Sequence, residues 1–309
     1  MTGVLLVAVV IAASIAAGIV AEPRLPDGGR GAARVLTRLL LWVLAPFIFF
    51  FVVARLELTA GVGVGIVLAY AALAVVTVAA WLVATRWLRL SRPSTGAFVV
   101  TVVVANTGYV GLPLTAATLG TGQLGYAITY DAVVNVPMFL LVAMSIGAVM
   151  GGTAETASRR DLALALLRNP LLIAVAAGLA APDALAPDVL LDVAHVLVYA
   201  MVPLAFFVVG LSLGAESEAG SLTFPPALTA PVAASLGLRL VAAPLLLLGL
   251  STLASGVPDA YLLQAAMPSG ANCVLVAHLY GLDQRLAASA VAWSTMIVLV
   301  IAVLASPLL

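Results

Sequence analysis

Two short clusters in an otherwise apolar sequence hold the residue types that could handle a solute: Asn106-Thr107-Gly108-Tyr109-Val110-Gly111-Leu112-Pro113 and Pro268-Ser269-Gly270-Ala271-Asn272. Pro lacks an N–H and clashes with the preceding turn, while Gly relaxes the backbone, so each cluster predicts a helix that unwinds near its middle. Freed backbone groups are costly in hydrocarbon and are tolerated only where they are buried in protein or line a wet cavity. An Asn in each cluster adds a neutral side chain that both donates and accepts, suited to a carboxylate or to the freed backbone itself. Asn106 and Asn272 are therefore the leading binding candidates. Thr107, Gly108, Tyr109 and Ser269 are further contacts, and Pro113 and Pro268 mark the breaks. Two plainer readings stand beside this one. Pro and Gly can merely kink packed helices, and intramembrane Asn can simply bond helix to helix, worth about 1 kcal/mol or less.

The charges inside apolar sequence form the second group of candidates. Asp131 has Asn135 one turn later on the same helix face and Pro137 just beyond. An acid at that depth is a candidate to bind a proton or cation or to brace the broken helix beside it; the plainer readings are that it lies nearer the interface or simply caps freed amide groups. Arg239 has no acid nearby in sequence, which predicts a structural ion pair with a distant partner or a phosphate headgroup reached by snorkelling. His278 is read either as a proton site or as a single helix-to-helix hydrogen bond. No nucleophile elbow, zinc motif, P-loop or dinucleotide fingerprint occurs. With two His and one Cys in the chain, catalytic residues, a metal site and a bound cofactor are not expected. The one Cys, Cys273, allows no intrachain disulfide.

The elements that must position these residues follow from composition. Of 309 residues 64% are hydrophobic and 8% charged, with a mean hydropathy of +1.24, against about a quarter charged in a soluble chain. Soluble enzymes, nucleic-acid binders and disordered linkers are excluded, and the expected solvent is membrane lipid. A crossing needs roughly 20 apolar residues. Turn and charge clusters divide the chain into spans at 3–21, 35–54, 62–85, 96–119 and 123–150, then 169–181, 189–213, 226–250, 259–280 and 284–303, with a polar segment at 151–168. The span at 169–181 is short and either extends back through Leu162 or crosses thinned lipid. All thirteen basic residues are Arg, and eleven of them fall in alternate connections if the N-terminus is outside. Basic loops face the cytoplasm, so both termini are expected on the non-cytoplasmic side of a cell (inner) membrane.

Five spans per half place the two halves in opposite orientations, and the sequence echoes that arrangement. Pro46-Phe47-Ile48-Phe49-Phe50-Phe51-Val52 and Pro203-Leu204-Ala205-Phe206-Phe207-Val208-Val209 share the pattern P-x-x-F-F-x-V at an offset of 157 residues, and Pro113 and Pro268 are 155 apart. Interrupted helices from inverted repeats meet at mid-membrane and present their positive N-terminal ends to an anion, a transporter architecture.

Several stretches resemble the auxin efflux carrier family, which includes the plant PIN carriers and bacterial carriers of malonate and other organic anions. They are Ala105-Asn106-Thr107-Gly108 with Gly111-Leu112-Pro113, Asn169-Pro170-Leu171-Leu172 with Gly178-Leu179, Met267-Pro268-Ser269-Gly270-Ala271-Asn272, and Ala288-Ser289-Ala290 with Ser294-Thr295. The resemblance implies an all-α membrane protein similar in fold to the bile-acid sodium symporters. Ten transmembrane helices would form two inverted five-helix repeats (1–150 and 169–309, joined by a short cytoplasmic linker at 151–168), with broken helices 4 and 9 crossing at Pro113 and Pro268. Spans 1, 2, 6 and 7 would form a scaffold through which two copies pair as a homodimer, and spans 3–5 and 8–10 a transport domain. The implied activity is secondary transport of a small organic anion by an elevator-like alternation, with coupling to Na+ or H+ through Asp131 and Asn135 left open. The short linker sets this chain apart from the plant carriers and puts auxin itself in doubt. The alternatives are a cation-coupled bile-acid-like symporter or cation/proton antiporter and, more remotely, a membrane receptor or channel.

Overall fold

The computed structural model describes residues 2–151, 160, 164, 167–218, 226–254 and 256–305. Most of the expected linker, with Arg159, and the last four residues lie outside the described residues. Among the described residues every regular element is helical, and the sole extended contact is an isolated antiparallel bridge between Ala105 and Ser269.

Seven helices are long and apolar enough to cross a membrane: α1 (Gly3–Arg24), α2 (Pro26–Val53), α3 (Ala60–Trp87), α6 (Thr121–Met150), α8 (Asp188–Leu211), α9 (Ala230–Ser251) and α12 (Gln284–Ala305). No more than 39% of the most apolar window of any of them is buried inside the protein. The outward faces carry side chains such as Trp42, Val67 and Leu245, all more than half exposed, as expected where lipid is the solvent. The second span starts earlier than its hydropathy suggests because Arg30, Arg34 and Arg38, spaced four apart, form one polar face on an amphipathic opening turn.

The remaining helices are short. α7 (Pro170–Ala180) has 11 residues, and Asn169 caps it by accepting the Leu171 and Leu172 amides at 2.9 and 3.4 Å. The expected span at 96–119 is two helices, α4 (Arg92–Val103) and α5 (Leu112–Thr118). The expected span at 259–280 is likewise α10 (Asp259–Ala265) and α11 (Asn272–Tyr280). Both interruptions fall within the Gly, Pro and Asn clusters.

Packing divides into three apolar groups. The largest joins α3, α4, the second half of α6 and α9 to α12, through residues such as Phe98, Val134, Leu247, Tyr261 and Val276. A second joins α2, α7 and α8 to α5 and the first half of α6. A third seats α1 on α8 and α5. The α1–α8 contact is made at backbone distance: a Cβ on Gly18 would lie 2.4 Å from the Phe207 carbonyl oxygen, and one on Gly210 would lie 2.3 Å from that of Ile15. Small residues at such positions let membrane helices gain close van der Waals contact.

Candidate functional site

α4 stops where its hydrogen bonds change partners. Val104 N–H still reaches back to the Val100 carbonyl at 3.0 Å. The next amide, that of Ala105, instead donates to Asn135 Oδ1 on α6 at 3.1 Å. The Thr101 carbonyl, which that amide would meet in a continuing helix, accepts Ser269 Oγ at 2.7 Å. Asn106 N–H then donates to the Pro268 carbonyl at 2.7 Å and Gly270 N–H to that of Val104 at 3.0 Å, pairing Ala105 with Ser269. Ser269 N–H is held by Ser294 Oγ of α12 at 3.1 Å. The two breaks therefore satisfy each other's backbone, as the absence of water in a hydrocarbon core demands.

Beyond the bridge the chain re-enters a helix through a wide turn, Thr107–Gly111, where the Asn106 side chain accepts the Tyr109 amide at 3.3 Å. Asp131 lies beside this turn and is buried. Its Oδ1 accepts Thr107 Oγ1 and, at 3.1 Å, Asn135 Nδ2. Its Oδ2 faces Gly108, where a Cβ would lie 3.5 Å away. The carboxylate holds the turn through Oδ1, and it stands next to the positive end of the helix that follows.

Arg239 corrects the sequence reading. It is 1% exposed, so it does not snorkel, and among the described residues it has no carboxylate within ion-pair distance. Its guanidinium instead donates to three carbonyls: Met267 at 2.9 Å, Ala265 at 2.7 Å and Val102 at 3.2 Å. Val102 is in the last turn of α4, Ala265 is the last residue of α10 and Met267 lies two residues beyond it, so one side chain caps both helices that stop at the Ala105–Ser269 bridge. The planar fork of Arg suits this threefold task.

Of the candidates, Asn106, Thr107, Gly108, Asp131, Asn135, Pro268 and Ser269 come together. Tyr109 is half-buried beside them. Pro113 lies in the first turn of α5, past the bridge that includes Pro268. Asn272 is exposed at the start of α11, a helix with Ala271 in the capping position and no side-chain cap. His278 is also exposed. Gln264 had drawn no attention in the sequence, yet it is fully buried and neither polar atom of its carboxamide has a protein partner. It presses on Gly111, where a Cβ would lie 2.1 Å from its Oε1. The available signal was an amide residue four positions before Pro268 in an apolar stretch. Among the described residues no group of His, Cys, Asp and Glu could hold a metal ion.

The arrangement is two interrupted helices tied back to back, with charged side chains at their inner ends. A family model described as membrane transport protein matches residues 6–306. The chain belongs to this auxin efflux carrier family. No curated protein matches it at a significant level. Membership of the auxin efflux carrier family, together with seven long apolar helices, makes this a multi-pass membrane transporter.

Proposed function

We propose that this transporter carries a small organic anion, a carboxylate, by alternating access, with the solute held at the crossing of the two broken helices. The observation that carries the reading is the occupancy of the inner helix ends. Arg239 covers the C-terminal ends of α4 and α10, and Asp131 with Thr107 covers the start of the turn leading to α5. The start of α11 has no capping side chain, and Asn272 stands there exposed. A helix N-terminus carries a partial positive charge, which favours an anion; at α11 the Cys273 and Val274 amides donate to the Gly270 and Ala271 carbonyls at 3.0 Å, so the attraction is that of the dipole.

On this reading the two interrupted segments and α7 complete ten crossings in two inverted repeats. Spans 3–5 and 8–10 move as a transport domain against a scaffold of spans 1, 2, 6 and 7, which also pairs two copies as a homodimer. The apolar group joining α3, α4 and α9 to α12 supports the moving body, and the backbone contact of α1 with α8 supports the fixed one. Both termini face away from the cytoplasm. Asp131, bonded through Oδ1 alone, keeps Oδ2 for a proton or Na+, which favours coupled transport over a uniporter.

Uptake into proteoliposomes tests this. Aliphatic and aromatic carboxylates are offered with and without sodium and pH gradients, and saturable uptake of at least one is expected. Sodium-dependent thermal stabilisation without any response to carboxylates would favour a cation-coupled carrier of another solute, and non-saturating flux would favour a channel. Coupling predicts that Asp131→Asn removes the response to the driving gradient.

A further inference from the structure

Three carbonyls need donors; they do not need a charge. A neutral donor would cap the ends of α4 and α10 without placing an ion in the middle of a membrane protein, where an ionisable side chain is expensive and commonly functional. Arg239 is nonetheless a full cation, 1% exposed, in a wide turn (Leu238–Ala242) of α9, and such turns are frequent at functional sites. The anion-carrier reading by itself does not explain it.

The difficulty that Arg239 addresses is electrostatic. Where two broken helices cross, two N-terminal and two C-terminal ends meet in one small volume. Each carries roughly half a unit charge, positive at the N-terminus and negative at the C-terminus. Left alone, these fields oppose one another and the crossing favours neither sign of solute; Asp131 covers the positive end leading to α5, so that of α11 remains, and it prevails only if the negative ends are covered as well. The guanidinium lies 2.7 to 3.2 Å from three carbonyls that form both negative ends. One of them, Met267, is bonded in sequence to Pro268, whose own carbonyl holds the Asn106 amide. The charge therefore sits one peptide unit behind the bridge, against the ends that would repel an anion.

We propose that Arg239 sets the charge preference of the crossing, selecting an anionic solute by cancelling the negative ends of α4 and α10. It is a positioning and specificity residue that acts through the backbone without touching solute. The proposal rests on the anion-carrier reading.

The test measures binding to the purified full-length protein of size-matched probes that differ in charge: butyrate against succinate, and benzoate against phthalate. Wild type, Arg239→Gln and Arg239→Lys are compared, with thermal unfolding as a control for folding. Removing the charge is expected to weaken the dianion of the tighter pair at least tenfold and the monoanion by a smaller factor, so the preference between them shifts. Arg239→Lys keeps the charge while losing the fork, and is expected to bind more weakly with the preference unchanged. Equal weakening of both probes in Arg239→Gln would reduce Arg239 to a cap and overturn the proposal. Should Arg239→Gln fail to fold, Arg239→His takes its place, measured above the pH at which imidazole ionises so that a donor stays and the charge is gone. A dianion preference lower than that of wild type supports the proposal, and an unchanged preference overturns it. Wild type that binds no carboxylate sinks the anion-carrier reading together with this one, whereas binding with an unshifted preference sinks this one alone.

Discussion

Asn135 Oδ1 lies 3.1 Å from the backbone nitrogen of Ala105, so a side chain of α6 takes the hydrogen bond that α4 releases where it stops. The same carboxamide donates to Asp131 at 3.1 Å. Asn135→Leu, similar in size, leaves the Ala105 amide without a partner and Asp131 Oδ1 with Thr107 alone. Each unsatisfied buried group costs about 1–3 kcal/mol. A clearly lower unfolding temperature in detergent is expected, and an unchanged one would show that the break does not depend on α6.

Gly111 is required by its neighbour. A Cβ there would lie 2.1 Å from Gln264 Oε1, and overpacking of this kind costs about 1–3 kcal/mol. Gly111→Ala is expected to lower both stability and uptake. Gln264→Ala in the same chain should recover stability, giving a coupling energy well outside additivity in a double-mutant cycle. Additive losses would mean that the two residues do not oppose each other.

The two Asn residues of the broken segments are expected to part company. Asn106 caps a turn, so Asn106→Ala loses about 0.5–2 kcal/mol of stability along with binding. Asn272 is exposed and forms no cap, so Asn272→Ala is expected to abolish carboxylate binding while thermal unfolding stays at the wild-type value. Unchanged affinity in both variants would remove them from the binding site.

Gly18 and Gly210 close the α1–α8 contact. Gly18→Leu drives a branched side chain into the Phe207 carbonyl and the Gly210 backbone, and no rotamer change in a neighbour can relieve a clash with main chain. Loss of folded protein in size-exclusion chromatography is expected, whereas Gly63→Leu, where a Cβ meets open space, should be tolerated.

Apolar runs of helical length made most of the fold readable in the sequence, because hydrocarbon leaves the backbone few choices. The positions of both interruptions were equally readable, since Pro and Gly act through local sterics. Asp131 and Asn135 declared themselves as polar residues in apolar surroundings, and their shared face followed from the spacing of four. Partner choice was not readable. The three carbonyls around Arg239 are brought to it by tertiary packing, and they belong to residues whose side chains, Val102, Ala265 and Met267, say nothing of their role. Gln264 stayed hidden for a related reason: its significance lies in having no partner, which only packing reveals.

The Val102 carbonyl meets a guanidinium that lies 137 residues further along the chain. On a ribosome feeding a membrane, the segment holding that carbonyl is made long before its cap exists. The same holds for α1, whose glycine seam waits for α8. The early segments thus reach their final hydrogen bonds and packing only once the late ones have been made.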